Sequence, residues 1–183
     1  MDRPILFSSP MVRAIIDGRK TMTRRVYKPR FDKWKVGDRL WVKETFLEYY
    51  REKTLGESDW DLSNLIIVYR ADKDNPITIE AEKAIAYARD IVRTDGLAYV
   101  ESEGICHAWR PSIFMPRKYS RINLEITDIK RELLRDISED DAKREGFDNR
   151  QDFLNYFEKI NPEMKGKNPV VLAIGFKDLE VKQ

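Results

Sequence analysis

The sequence predicts a small α+β or barrel-like domain, in which strands dominate and short helices lie between them. Stretches such as residues 65–71 and 121–129 are typical of strands, the second through its alternation of apolar and polar side chains. The helical patterns are short and carry their own start and stop signals. Because strands and helices do not alternate regularly, a doubly wound parallel sheet is disfavoured.

The N-terminal region predicts one helix and two strands. Ser9 and Pro10 are typical of the cap and first position of a helix, and Gly18 is typical of a left-handed helix end. Residues 21–27 are β-compatible, and a turn at residues 36–38 leads to a strand that we expect to run from residue 40 to 46.

The C-terminal region predicts two helices and a closing strand. Ser138 is expected to cap a short helix that ends at Gly146. Residues 151–160 carry apolar side chains at helical spacing, and residues 170–176 form the last strand.

The middle of the chain is harder to interpret. Residues 50–63 are polar and favour a loop, and residues 78–92 are rich in Ala, Glu and Lys and favour a helix. We interpret the region around residues 50–105 as an insertion in a single domain that spans residues 1–183.

Composition excludes several classes of protein. With 42% apolar residues the chain is too hydrophobic to be disordered, and it has no run of about 20 apolar residues that could cross a membrane. One cysteine and one histidine, Cys106 and His107, exclude an internal disulfide and the common Cys/His zinc sites. We expect a cytoplasmic protein with no metal, no cofactor and no membrane partner.

Charge is unevenly distributed along the chain. Residues 1–43 hold twelve Lys/Arg and four Asp, a net charge of +8, although the whole chain carries only +2. This segment could bind an anion such as nucleic acid. The alternative is a solvated face whose charges pair with acids elsewhere.

The segment from Gly18 to Arg25 concentrates groups capable of chemistry. A desolvated lysine beside other cations, such as Lys20 here, has a lowered pKa and can act as a base for a threonine nucleophile such as Thr23. Regular strand alternation would place these two side chains on opposite faces, so a bend or bulge is expected between them. The alternative is a charged edge strand that resists pairing.

Glu145 occupies an unusual position for a carboxylate. It precedes Gly146 at the predicted helix end, where the helix dipole disfavours an anion, and Asp141 lies four residues earlier. Both effects raise the pKa of a carboxyl group, as a general acid or base requires.

A third cluster interleaves aromatic and cationic residues between Trp109 and Tyr119. Aromatic faces stack on bases and arginines pair with phosphates, so this segment could bind single-stranded RNA or a nucleoside. The alternative is that Trp109, Ile113 and Phe114 belong to the core.

Several of these segments resemble the ASCH domain, a branch of the PUA-like fold. The matching segments are residues 18–25 (GRKTMTRR), 36–46 (VGDRLWVKETF), 109–117, 137–146 and the strand opened by Asn168 and Pro169. Together they are similar to the longer ASCH-like proteins of phages and prophages. The resemblance implies a small β-barrel flanked by helices, with a basic cleft beside residues 18–25 that recognises RNA or a modified nucleoside.

The resemblance also implies site residues. One compact branch is similar to an amidohydrolase of N4-acetylcytidine that needs no metal. There Lys20 would be the base, Thr23 the nucleophile and Glu145 the proton shuttle. The residues implied in ligand or nucleic-acid binding are Arg19, Arg24, Arg25, Trp41, Glu44, Trp109, Arg110, Ser112 and Arg117. This chain departs from the compact branch in its length, since residues 47–118 have no counterpart there.

Three functions therefore remain open. The first is recognition of RNA or a nucleoside, with DNA as an alternative ligand. The second is hydrolysis of an acylated nucleoside through Lys20, Thr23 and Glu145. The third is a phage accessory role, in which the insertion around residues 50–105 binds a host protein.

Overall fold

The computed structural model shows a mixed α+β protein, which confirms the α+β part of the predicted fold. It describes residues 1–50, 65–72, 97–100, 104–107 and 109–181. The chain divides into two compact units. Unit 1 comprises residues Met1–Ile5, Met11–Val42 and Arg121–Gln183, and unit 2 comprises residues Leu6–Pro10 and Lys43–Ser120.

The described residues form nine strands and three α-helices. In chain order they are β1 (Asp2–Leu6), α1 (Ser9–Ile16), β2 (Met22–Val26), β3 (Arg39–Lys43), β4 (Phe46–Tyr50), β5 (Leu65–Tyr69), β6 (Leu97–Val100), β7 (Gly104–His107), β8 (Ile122–Leu133), α2 (Glu139–Arg144), α3 (Arg150–Ile160) and β9 (Val170–Val181).

A five-stranded sheet in the order β1-β3-β8-β9-β2 is built around two long strands. β8 and β9 each have 12 residues and pair antiparallel from Ile122↔Val181 to Leu133↔Val170, with register shifts near Leu124 and Asp128. Among the strands described, β2 pairs with β9 alone and so forms an edge of this sheet. Long-range pairing explains why β8 and β9 extend beyond the strands predicted at residues 121–129 and 170–176.

Helices α2 and α3 bury one apolar cluster with the sheet. Its buried members are Leu134, Ile137, Ala142, Phe153, Phe157 and Val171. The Ser138 hydroxyl caps α2 as predicted, because it accepts a hydrogen bond from the Asp141 amide at 3.1 Å. In α3 the predicted apolar face is shorter than expected, since Ile160 is half exposed.

Unit 2 contains a four-stranded antiparallel sheet in the order β5-β4-β7-β6. The strand predicted over residues 40–46 is wrong in extent, because β3 ends at Lys43 and β4 begins at Phe46. The backbone changes partners there: the Thr45 carbonyl accepts from the Arg70 amide at 3.0 Å. Phe46 then pairs with Tyr69.

Most of the middle of the chain lies outside the described residues. This holds for residues 51–64 and 73–96, and so for nearly all of the predicted loop and helix at residues 50–63 and 78–92 and for most of the proposed insertion. The described parts of that region include β6 and β7, two strands that no periodicity predicted.

The predicted turn at residues 36–38 is confirmed and anchored by Asp38. Gly37 adopts a positive φ of 86°. The Asp38 carboxylate accepts from the Met1 ammonium at 2.9 Å and from the Arg3 Nε at 3.0 Å. The hydrogen bond from the N-terminal ammonium, and that from Arg3, lower the pKa of Asp38 to about 2, against the effect of burial.

Gly146 is the glycine whose replacement we expect to disturb unit 1 most. Its φ is +90°, and a Cβ there would lie 3.2 Å from the Ala14 Cβ and 3.4 Å from the Lys20 Cβ. We expect Gly146→Ala to lower the free energy of unfolding by about 1–3 kcal/mol, through backbone strain with added crowding. Urea denaturation measures the change.

Gly18→Ala is the matched control, because Gly18 has a φ of +71° but a Cβ there would meet nothing within 4 Å. The Gly18→Ala variant therefore introduces the backbone strain without the crowding. If both variants lose the same stability, the close approach of Gly146 to α1 and Lys20 contributes nothing.

Candidate active site

Lys20 lies in the turn between α1 and β2, not within a strand. Its backbone amide donates to the Ala14 carbonyl at 2.9 Å, and β2 begins only at Met22. Strand alternation therefore does not fix the direction of its side chain, and the bend expected between Lys20 and Thr23 is supplied by the turn.

Glu145 is the residue that ends α2, as the sequence predicts. Its amide donates to the Asp141 carbonyl at 2.9 Å, and Gly146 follows with φ 90°. The Thr21 amide donates to the Arg144 carbonyl at 2.8 Å. This bond ties the end of α2 to the chain at the start of edge strand β2, and so brings Glu145 beside Lys20.

The side chains of Lys20 and Glu145 form a buried ion pair. Lys20 Nζ donates to Glu145 Oε2 at 2.7 Å and to the Glu145 backbone carbonyl at 2.9 Å. The two side chains are only 2% and 3% exposed. Burial lowers the pKa of the Lys20 ammonium, and the nearby Arg25 and Arg24 act in the same direction, whereas Glu145 opposes them.

Arg24 connects Glu145 to two further carboxylates. Its NH1 lies 3.3 Å from Glu145 Oε1, its NH2 lies 2.6 Å from Asp141 Oδ2, and its Nε lies 2.7 Å from Glu132 Oε1. Burial would lower the pKa of the guanidinium, but the hydrogen bond to Asp141 and the charges of Glu145 and Glu132 raise it.

Thr23 and Arg25 lie on the other side of β2 from Arg24, by strand alternation. Thr23 is 4% exposed. Within the part of the chain that the structure describes, no hydrogen bond joins its hydroxyl to Lys20. Burial lowers the pKa of Arg25, whereas the charge of Glu145 raises it, so Glu145 acts on groups from both faces of this edge strand.

Carboxylates offset much of the positive charge of the network. Glu132, Asp141 and Glu145 pair with Lys20 and Arg24, and the charge of Glu145 also acts on Arg25. Arg19 is exposed and pairs with Asp17 at 3.0 Å. Much of the positive charge expected beside residues 18–25 is thus offset within unit 1.

The other predicted binding residues occupy different places. Trp41 is half-buried on β3, opposite Asn123. In unit 2, Glu44 is buried, and Arg110 pairs with Glu48 at 2.8 Å and lies over the Phe46 ring. Trp109 and Ser112 are half-buried and Arg117 is exposed.

Sequence reasoning missed Glu132 as a member of the network. Glu132 lies on β8, and strand β9 separates β8 from β2. Arg24 pairs across the sheet with Ala173, whose small side chain lets the guanidinium reach β8. No pattern in the sequence near Arg24 indicates a carboxylate that lies two strands away. Asp141, in contrast, is predicted as a neighbour of Glu145 because the two lie on the same helix.

Neither a metal centre nor a membrane span is found in the described residues. No group of three or more His, Cys, Asp or Glu there is arranged to hold a metal ion. None of the helices described is long and apolar enough to cross a membrane.

Comparison of the chain with protein-family models, with curated proteins and with solved structures gave no match.

The Lys20–Glu145 pair can be tested by a double-mutant cycle. We expect Lys20→Met and Glu145→Gln each to lower the free energy of unfolding by about 3–5 kcal/mol, because each removes the partner that lies 2.7 Å from a buried charge. The double variant should lose at least about 1 kcal/mol less than the sum of the two. Urea denaturation at neutral pH supplies the four values.

The exposed pair of Arg19 and Asp17 is the matched control, since it has a similar distance of 3.0 Å. Arg19→Met should cost less than about 1 kcal/mol. Strict additivity of Lys20→Met and Glu145→Gln would show that the two charges do not interact in solution.

Proposed function

We propose that this chain is a metal-independent amidohydrolase that acts on an acylated nucleoside or a similar small amide. The observation that carries the proposal is the 2.7 Å contact between Lys20 Nζ and Glu145 Oε2, two residues 125 positions apart in sequence. A buried lysine with a lowered pKa that is held by a buried carboxylate is an arrangement typical of catalytic sites, and Thr23, which follows Lys20 closely in the chain, is buried as well.

The proposed reaction has two steps. In the first, the Thr23 oxygen attacks the amide carbonyl carbon while neutral Lys20 takes the hydroxyl proton. The C–N bond then breaks, the leaving nitrogen receives that proton, and the acyl group remains on Thr23 as an ester. In the second, water attacks the ester carbonyl and gives one proton to Lys20. The ester C–O bond then breaks, Lys20 returns that proton to the Thr23 oxygen, and the carboxylic acid is released.

Two features of the network suit Lys20 to the role of base. Burial and the charges of Arg24 and Arg25 favour the neutral amine, which is the form that can accept a proton. The Glu145 carboxylate can take up the proton from Lys20 and return it, since Oε2 already lies within hydrogen-bond distance. The Thr23 hydroxyl would approach Lys20 when substrate binds, because catalytic hydrogen bonds often tighten only in the complex.

The PUA-like fold belongs to the same proposal. The support for it is the five-stranded sheet with its register shifts near Leu124 and Asp128, together with the capped helix α2 before the final strand. Register shifts of this kind increase strand curvature, which the closure of a small barrel needs.

Turnover of N4-acetylcytidine tests the proposed hydrolase. We expect the wild type to release cytidine and acetate, Thr23→Val to abolish turnover by removing the nucleophile, and Lys20→Met and Glu145→Gln to lower kcat by about 10²–10⁴-fold. Chromatography of the nucleoside gives the rates.

Thr21→Val serves as the control, since Thr21 loses a hydroxyl two residues from Thr23 and should keep wild-type kcat. A wild type inactive on N4-acetylcytidine and on related N-acyl nucleosides, or full activity in Thr23→Val, would contradict the proposed mechanism.

A second candidate function is recognition of single-stranded RNA by unit 2. The observation that favours it is the exposure of Ile113 and Phe114, 61% and 62%, where a core position was the alternative. The cations Arg110, Arg117 and Lys118 lie on the same short segment and are exposed. An exposed aromatic ring beside cations suits base stacking and phosphate contact.

Phe114→Ala tests this second candidate. We expect it to weaken binding of a fluorescently labelled uridine 12-mer by about 5- to 100-fold, which corresponds to one lost base stack. Anisotropy titrations at several salt concentrations should show affinity falling steeply with salt.

Val36→Ala is the matched control, because Val36 is an exposed apolar residue of unit 1 at 63% exposure. It should leave RNA affinity unchanged. Equal effects of the two substitutions, or equal binding of an uncharged analogue of the oligonucleotide, would contradict recognition by this segment; a DNA 12-mer of the same length reports any preference for RNA.

A further inference from the structure

Arg24 is the most completely enclosed cation among the residues described in unit 1. Its side chain has 0% exposure, and it contacts three carboxylates: Glu132 on β8, Asp141 on α2, and Glu145 at the end of α2. A guanidinium has five donors in a rigid fork, so contacts in several directions fix its orientation. An incoming phosphate could reach it only by displacing these carboxylates.

The contact between Arg24 and Glu145 complements the contact made by Lys20. Arg24 NH1 lies 3.3 Å from Oε1 of Glu145, and Lys20 Nζ lies 2.7 Å from Oε2. The terminal torsion of a glutamate is soft, so one contact alone would leave the carboxylate free to rotate. Two cations on opposite oxygens hold it in one orientation.

We infer that Arg24 is a positioning residue of the proposed amidohydrolase: it fixes the Glu145 carboxylate so that Oε2 faces Lys20, and Glu132 and Asp141 hold its guanidinium in place. The inference rests on the proposed function and replaces the direct ligand-binding role that the sequence suggested for Arg24. Arg24 acts through Glu145 and does not touch substrate.

The charge of Arg24 also acts on the ionisation of Lys20. The charged or titratable groups around this pair are Arg24 and Arg25 on β2, Asp141 and Arg144 on α2, Glu132 and Lys130 on β8, and Tyr156 on α3. Arg24 lowers the pKa of Lys20, so its removal should raise that pKa. The neutral amine would then form at higher pH, and the rising limb of the pH–rate profile would move to higher pH.

The experiment compares Arg24→Gln, Arg24→Lys and Asp141→Asn with wild type. We expect Arg24→Gln to lower kcat on N4-acetylcytidine by about 10- to 100-fold without raising KM, and to move the rising limb to higher pH. Arg24→Lys keeps the charge without the fork, so its pH profile should stay near wild type while kcat remains low. Asp141 is 26% exposed, so Asp141→Asn loosens Arg24 more gently and covers the case in which Arg24→Gln does not fold.

Two control variants change the exposed cations that contact the remaining oxygens of Asp141 and Glu132. Arg144 contacts the other oxygen of Asp141 at 3.4 Å and Lys130 contacts the other oxygen of Glu132 at 3.0 Å. Among the described residues neither side chain forms an ion pair with Glu145, and both are exposed, 43% and 67%. Arg144→Gln and Lys130→Gln should retain wild-type kcat and pH profile.

An NMR titration of the Lys20 side chain separates this inference from the proposed function. It needs no substrate, and in Arg24→Gln, or in Asp141→Asn if that variant alone folds, the titration should move to higher pH. A loss of kcat with an unchanged pH profile and an unchanged Lys20 titration would show that Arg24 has only a structural role. A rise in KM alone would show that Arg24 binds ligand. An inactive wild type with a shifted titration would overturn the hydrolase but keep the coupling of Arg24 to Lys20.

Discussion

The arrangement of unit 1 depends on one buried ion pair, between Lys20 and Glu145. Removing two charges from water costs several kcal/mol per ion, and this cost is recovered only where hydrogen bonds satisfy both groups. Here Lys20 Nζ also donates to the Glu145 backbone carbonyl and Arg24 donates to the other carboxylate oxygen, while the Thr21–Arg144 backbone bond holds the two segments together. Since an apolar pair would cost less to bury, the presence of two buried charges here supports the proposed catalytic role.

The ionic network also changes how the charge of the basic N-terminal segment is interpreted. Its charge of +8 suggested a surface for anions. Arg24, however, faces Glu132, Asp141 and Glu145, and Arg19 faces Asp17. The net charge of a sequence segment does not show which acidic side chains the fold places next to it. The charge of this segment therefore overstates the positive electrostatic potential that a ligand would meet.

Capping residues in the sequence predicted the helix ends well, but no sequence pattern indicated contacts between residues far apart in the chain. Ser138 and Gly146 delimit α2 as their capping chemistry requires, and Gly18 ends the turn after α1 with a positive φ. The contact between Lys20 and Glu145 could be anticipated only by resemblance, since 125 residues separate them. Glu132 could not be anticipated at all, because its relation to Arg24 requires the strand order and a small residue, Ala173, between them.

The ion pair imposes a condition on any catalysis at this site. In the proposed hydrolase a protonated Lys20 cannot accept the proton of Thr23, so the neutral amine must form. Burial favours that form and Glu145 opposes it, with burial the larger effect. A substrate that covers the site would exclude more water and shift the balance further toward the neutral amine. Substrate binding would thereby generate the base at the moment when Thr23 needs it.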